Sequence, residues 1–244
     1  MMILDKPKTK SFRNTVKTRV YPAIMTFGLL LSGSAEAAPI SLSTIPKIGT
    51  VDERYQSYNV EMLEVTGGRF WKPYKDIQAP AKASGRSAAS TGGTAAPAGM
   101  SPNLYQYRPP IDLTNRRLRA LARALGPAYV RISGTWANTT FFADTNTPPK
   151  TPPAGYGSVL TRQQWLEAID FAHAVNAQIV TSLPNGVGTR DASGLWKPDQ
   201  ARRWLAFTRA HGGTIAAVEY FNEPTLASMG GAPKGYDATV VRDE

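Results

Sequence analysis

The chain has no cysteine and only two histidines, His173 and His211, among its 244 residues. No disulfide can staple it, no thiolate can serve as nucleophile or metal ligand, and two histidines give imidazole metal sites or a Ser-His-Asp triad little to draw on. It also lacks a G-x-G-x-x-G turn and a phosphate-binding G-x-x-x-x-G-K-[S/T] loop, so a nucleotide reading has no support. No apolar run reaches the length of a transmembrane helix. The chemistry left to this chain is carboxylate chemistry, or none, and no cofactor or metal is expected.

What is present begins with charge. The formal net charge is +10, but residues 1 to 37 carry six Lys/Arg (Lys6, Lys8, Lys10, Arg13, Lys17, Arg19) against Asp5 and Glu36. Taking these from totals of 28 and 18 leaves 22 basic and 16 acidic residues, a net +6. The opening segment has the form of a secretory signal: a basic stretch, an apolar core from Val20 to Leu31, and a small-x-small site ending at Ala37. We expect cleavage after Ala37, a secreted or periplasmic protein, and no stable membrane insertion thereafter. The mature charge suits an acidic partner. With no dense basic-aromatic cluster, nucleic acid is not expected.

Residues 38 to 54 read as a polar lead-in, and the stretch from Tyr55 to Met62 contains a strand. Residues 79 to 100 (APAKASGRSAASTGGTAAPAGM) are too poor in large apolar groups to pack a core and read as a long surface loop. Leu118, Leu121, Ala122 and Leu125 then recur at helical spacing behind a capping Thr or Asn, and Ala128 to Ser133 follows as a strand. Arg116, Arg117, Arg119 and Arg123 are expected on the solvated face of that helix.

A second helix opens at Thr161 with Gln164 in a capping box, ahead of a strand from Gln178 to Leu183. A third has Pro198 near its first turn and Gly212-Gly213 past its end, ahead of a strand from Ile215 to Phe221. Alternating strand and helix predicts an α/β fold with parallel strands. Loops after the strands carry the polar and aromatic residues, including Trp136, Phe141 and Phe142, whose rings could stack on sugars or simply pack. In an α/β barrel that asymmetry marks the face where active sites form.

The fourth strand ends in Asn222-Glu223-Pro224. Alone, such a tripeptide arises by chance in roughly a few per cent of chains this long. Its position at a strand end gives it weight. Proline biases the preceding residue toward extended backbone and so helps aim Glu223. A carboxylic acid there can protonate a leaving glycosidic oxygen if burial or a second carboxylate raises its pKa, and an adjacent amide can hold a sugar hydroxyl. The plain alternative is a solvated loop glutamate.

Glu219-Tyr220-Phe221-Asn222-Glu223-Pro224 resembles the acid/base motif of the clan of (β/α)8 glycoside hydrolases, and Val130 to Thr135 with its spacing to that motif resembles family 79, which contains heparanase and other β-glucuronidases. The resemblance spans about residues 55 to 236. It implies a TIM barrel of which about the first four β/α units lie in residues 55 to 244. It further implies Glu223 as general acid/base, Asn222 beside the scissile bond, and Glu61, Asn185, Gly134 and Thr135 lining the sugar pocket. The substrate implied is a carbohydrate containing uronic acid, cleaved with retention.

The family takes its nucleophile from strand 7, and no acid after Pro224 (Asp237, Asp243, Glu244) matches that position. The expectation is therefore an N-terminal portion, inactive and aggregation-prone alone. The alternative in another class is a non-catalytic carbohydrate-binding remnant.

Overall fold

A computed structural model describes residues 41–77 and 100–244. The expected signal segment and all of the low-complexity stretch except Met100 lie outside the described residues. The chain divides into two units, Met1–Ile48 and Gly49–Glu244. Of the first, residues 41–48 are described; they are exposed, with one 3-10 turn at Leu42–Thr44.

In the second unit the elements run β1 (Tyr58–Glu61), α1 (Met62–Thr66), β2 (Gly68–Trp71), β3 (Tyr105–Arg108), α2 (Arg116–Ala124), β4 (Ala128–Ser133), β5 (Thr140–Ala143), β6 (Ser158–Thr161), α3 (Arg162–Ala174), β7 (Ala177–Ser182), α4 (Asp199–Ala210), β8 (Ile215–Glu219) and α5 (Ala238–Asp243). The main sheet has the order β1-β4-β7-β8, and every neighbouring pair is parallel. Each new strand joins the same edge, so the strand order is the chain order. This is the parallel α/β arrangement that the alternation of elements predicted.

Helix starts follow their caps. Asn115 Oδ1 accepts from the Arg117 and Leu118 amides at 3.0 and 3.1 Å, opening α2. Thr161 and Gln164 exchange the two bonds of a capping box at the head of α3. Arg119 donates to Asp170 at 2.6 Å, and Arg123 reaches the Ala174 carbonyl, so these two arginines tie α2 to α3 instead of lying on a merely solvated face; Arg116 and Arg117 are exposed.

One face of the sheet carries Val130, Ile132 and Ile179, packed with Tyr58, Val60 and Ile215 against Trp165, Ile169 and Trp204 of the helices. Trp165 is wholly buried and satisfies its indole N–H on Thr208 Oγ1 at 2.7 Å. Burial of such side chains contributes about 2–3 kcal/mol each, and this face is the folding core. Phe142 belongs to this core and stacks near Trp204 at 6.1 Å, while Phe141 packs on Tyr156, so of the three loop aromatics only Trp136 reaches the strand-end cavity.

The opposite face is polar near its C-terminal edge. Glu61 pairs in register with Ser133, and Ser182 with Glu219, and the Ser133 and Ser182 hydroxyl oxygens lie side by side. One residue from each of four strands thus forms a single polar row. At the outer strand, Ala216, Ala217 and Val218 are exposed, and β8 has no second strand partner among the described residues.

Candidate active site at the strand ends

A cavity of about 500 Å³ opens above the polar row. Its walls include Glu61, Gly134, Thr135, Asn222 and Glu223, five of the six residues singled out in the sequence, joined by Trp71, Tyr105, Arg131 and Trp136. Asn185 is elsewhere: it is fully buried, its amide donates to the Asn138 carbonyl at 2.9 Å, and its Oδ1 accepts from Arg190. A larger hollow of about 890 Å³ lies beside α3 and α4, where Arg162 is bonded to Asp144 at 2.8 Å and lies over Phe207.

Arg131 organises the site. Its guanidinium donates to both oxygens of Glu219 (2.6 and 2.7 Å), to Asn59 Oδ1 (2.7 Å) and to Asn222 Oδ1 (2.8 Å). Glu219 also accepts from the Ser133 and Ser182 hydroxyls, each at 2.7 Å. Burial works against the Glu219 charge, but the bonds from Arg131, Ser133 and Ser182, with the Arg131 charge, outweigh it and hold the carboxyl below its ordinary value.

Asn222 is clamped at backbone and side chain. Its N–H donates to Asn138 Oδ1 at 2.9 Å, its carbonyl accepts from Asn138 Nδ2 at 3.0 Å, and its own Nδ2 turns toward Glu223 Oε2 at 3.4 Å. Thr135 Oγ1 donates to the same Glu223 oxygen at 3.2 Å. Glu223 itself is exposed.

Its backbone differs from the extended form expected before proline: φ is 53° and ψ 60°, in the left-handed region. The reason lies in the turn that follows, since the Glu223 carbonyl accepts from the Leu226 amide at 2.9 Å and so starts the 3-10 turn Pro224–Leu226. A left-handed residue with a Cβ costs about 1–2 kcal/mol. Such strain gathers at functional positions.

Glu61 stands in contrast to Glu219. Its amide donates to Glu64 Oε2 at 2.9 Å, capping α1, and Asn59 Nδ2 reaches its Oε1 at 3.4 Å. Its Oε2 is buried without a partner. Burial raises its carboxyl above the ordinary value; Arg131 and the Asn59 bond pull it back, while the charges of Glu64 and Glu223 push it further up. The carboxylate lies where a Cβ on Gly134 would be, and Gly134 has φ +98°, so glycine is required there twice over.

Sequence reasoning missed Tyr105, Asn138, Glu219 and the role of Arg131. Arginine and glutamate within the apolar runs Val130-Arg131-Ile132 and Val218-Glu219 were the available signal for two of these, because charges are buried only when paired. Among the described residues no group of three or more His, Cys, Asp or Glu could hold a metal, and no helix is long and apolar enough to cross a membrane. No protein-family model matches the chain, and no curated protein matches it either.

Proposed function

We propose that this chain supplies the acid/base wall and part of the sugar pocket of an exported retaining glycoside hydrolase of β-glucuronidase/heparanase type, built on the first four β/α units of a TIM barrel. The observation that carries the reading is the convergence of Glu61, Asn222 and Glu223 on one cavity at the C-terminal ends of parallel strands, where α/β barrels place their chemistry. Strand order equal to chain order, with all three long helices on one face, supports a barrel winding over that of a doubly wound sheet, whose order reverses.

In this reading Glu223 protonates the departing glycosidic oxygen and later takes a proton from the attacking water, with Thr135 and Asn222 directing its carboxyl. A retaining reaction needs a second, ionised carboxylate about 5–5.5 Å away. Glu61, raised by burial, suits hydroxyl binding better than attack, and Glu219 has both oxygens occupied. The nucleophile is therefore not among the described lining residues.

The test is hydrolysis of 4-nitrophenyl β-D-glucuronide by the native exported protein and by its Glu223→Gln variant. Loss of about 10²–10⁴-fold in kcat is expected for removing a general acid/base. Unchanged turnover would remove Glu223 from that role, and saccharide binding without turnover in the native protein would favour the non-catalytic carbohydrate-binding reading.

A further inference from the structure

The ribbon beside the strand-end cavity is basic. Residues 67–77 and 100–111, the strands β2 and β3 with their flanks, hold Arg69, Lys72, Lys75 and Arg108 against one acid, Asp76, a net +3. Among the described residues no carboxylate pairs with Lys72, Lys75 or Arg108. Arg108 donates to the Trp71 carbonyl at 3.0 Å and lies over the Phe70 ring, and both of these partners are neutral. Three positive charges therefore stand on one small ribbon with no opposing carboxylate in contact.

The same pairing adds aromatic rings to that charge. Arg69 pairs with Tyr107 and Trp71 with Tyr105, so these four share one face of the ribbon, with Trp71 and Tyr107 as diagonal neighbours. Tyr107 is 66% exposed, Trp71 39%, and Tyr74 in the following 3-10 turn 94%. The Lys72 amide donates to the Leu104 carbonyl at 2.9 Å, which carries the ribbon one step past Trp71 toward that turn. Trp71 also lines the cavity, so ribbon and cavity are one continuous surface. Lysines alone would keep the edges of a two-stranded ribbon from pairing with another sheet; exposed rings among them work against that purpose and suit a ligand instead.

Rings flanked by cations match a ligand with apolar faces and repeated anionic groups. We infer that the β2–β3 ribbon is an extended platform for an acidic polysaccharide: its sugar rings lie on Trp71 and Tyr107, its carboxylates meet Lys72, Lys75 and Arg108, and one unit of the chain occupies the cavity. The inference rests on the carbohydrate reading of the cavity and deepens it, from a single uronate to a polymer. A single-stranded nucleic acid also stacks and carries charge. A cavity lined by Glu61 and Glu223 suits a hydroxyl-rich chain better than one with a phosphate on every unit.

The experiment compares three saccharides by calorimetric titration. One is a hexasaccharide of β-linked glucuronate, the second is cellohexaose, which has the same backbone without carboxylates, and the third is phenyl β-D-thioglucuronide, a probe small enough for the cavity alone. The native exported protein carries Glu223→Gln throughout, so that no chain is cleaved, and is compared with the further double variant Lys72→Gln, Lys75→Gln and with Tyr107→Ala. At low salt the acidic hexasaccharide should bind at least about tenfold more tightly than cellohexaose. The double lysine variant should remove about tenfold, the worth of two surface ion pairs, and leave the thioglucuronide unchanged. Added salt should shrink the same preference. Tyr107→Ala should weaken both hexasaccharides severalfold and the thioglucuronide not at all. Thioglucuronide binding alongside an acidic hexasaccharide no tighter than cellohexaose, or indifferent to the ribbon variants, would overturn this inference and leave the carbohydrate site standing. A six-residue oligothymidylate bound as tightly as the acidic hexasaccharide would overturn it in favour of a nucleic-acid surface. Binding of neither the thioglucuronide nor the acidic hexasaccharide would overturn the carbohydrate reading and this inference together.

Discussion

Glu61 and Glu219 end the two outer strands of the same sheet, and their environments are opposite. Glu219 accepts four hydrogen bonds from Arg131, Ser133 and Ser182 and is held ionised; Glu61 has an oxygen with no partner and a carboxyl pushed up by burial. The difference separates scaffold from site. A carboxylate whose lone pairs are all taken by the protein fixes geometry for its neighbours, here the Arg131 that holds Asn222. A carboxylate left unsatisfied in a cavity destabilises the fold and has capacity for a ligand. A third case, Glu244, supports the distinction: Arg190, Tyr220 and Tyr236 all donate to it, and it serves to hold the segment after Glu223 in place.

The largest break in this comparison should come from Arg131→Met. It strips Glu219 of its cation and Asn222 of its anchor together. Because both charged side chains are about one-third exposed, we expect about 2–3 kcal/mol of lost stability, below the 3–5 kcal/mol of a fully buried pair, read by urea unfolding.

Next is Gly134→Ala, whose new methyl would displace the Glu61 carboxylate from a backbone already at positive φ. A loss of about 2 kcal/mol and a further loss of probe binding are expected. A stable variant with wild-type binding would show that Glu61 has room to move.

The pH dependence separates the two glutamates by sign. Glu219, depressed in the fold, contributes stability that is present above its unfolded value near 4.5 and is lost as pH falls through its folded pKa. Glu61, raised in the fold, contributes stability that is present below its unfolded value of 4.5 and is lost as pH rises through its folded pKa. Glu61→Gln should therefore gain on the wild type across that upper window, and Glu219→Gln should flatten the acid limb of a stability-pH profile. The same slope in both variants would erase the distinction.

The smallest effect expected is from Glu223→Gly, which relieves left-handed strain and should stabilise the unliganded chain by about 1 kcal/mol while removing the proposed acid/base.

Much of this architecture was legible in the residues, where local signals were strong. The strand Ala128–Ser133, the Asn115 cap, the Thr161-Gln164 capping box and the three long helices lie where periodicity and caps put them. The β2–β3 ribbon was not legible, because its strands are joined through a long Ala/Ser/Gly-rich stretch and no local pattern encodes so distant a pairing. Nor was α1: Tyr55 to Val65 is rich in strand formers, and the Glu61-Glu64 contact turns the chain into a helix in the middle of it.

The same division holds at the cavity. Asn222 and Glu223 were visible through their motif, and Glu61, Gly134 and Thr135 through a resemblance. Tyr105 left no trace, since it reaches the site only through that non-local ribbon.

A strand-end cavity that takes a sugar would make Glu61 a ligand group and leave Glu219 a scaffold group. The most direct measurement is a carbon-13 titration of the glutamate carboxyl resonances with phenyl β-D-thioglucuronide. On saturation Glu61 should shift and titrate at a new pH while Glu219 stays where it was. A Glu61 resonance unmoved at saturation, or a shift confined to Glu219, would contradict it.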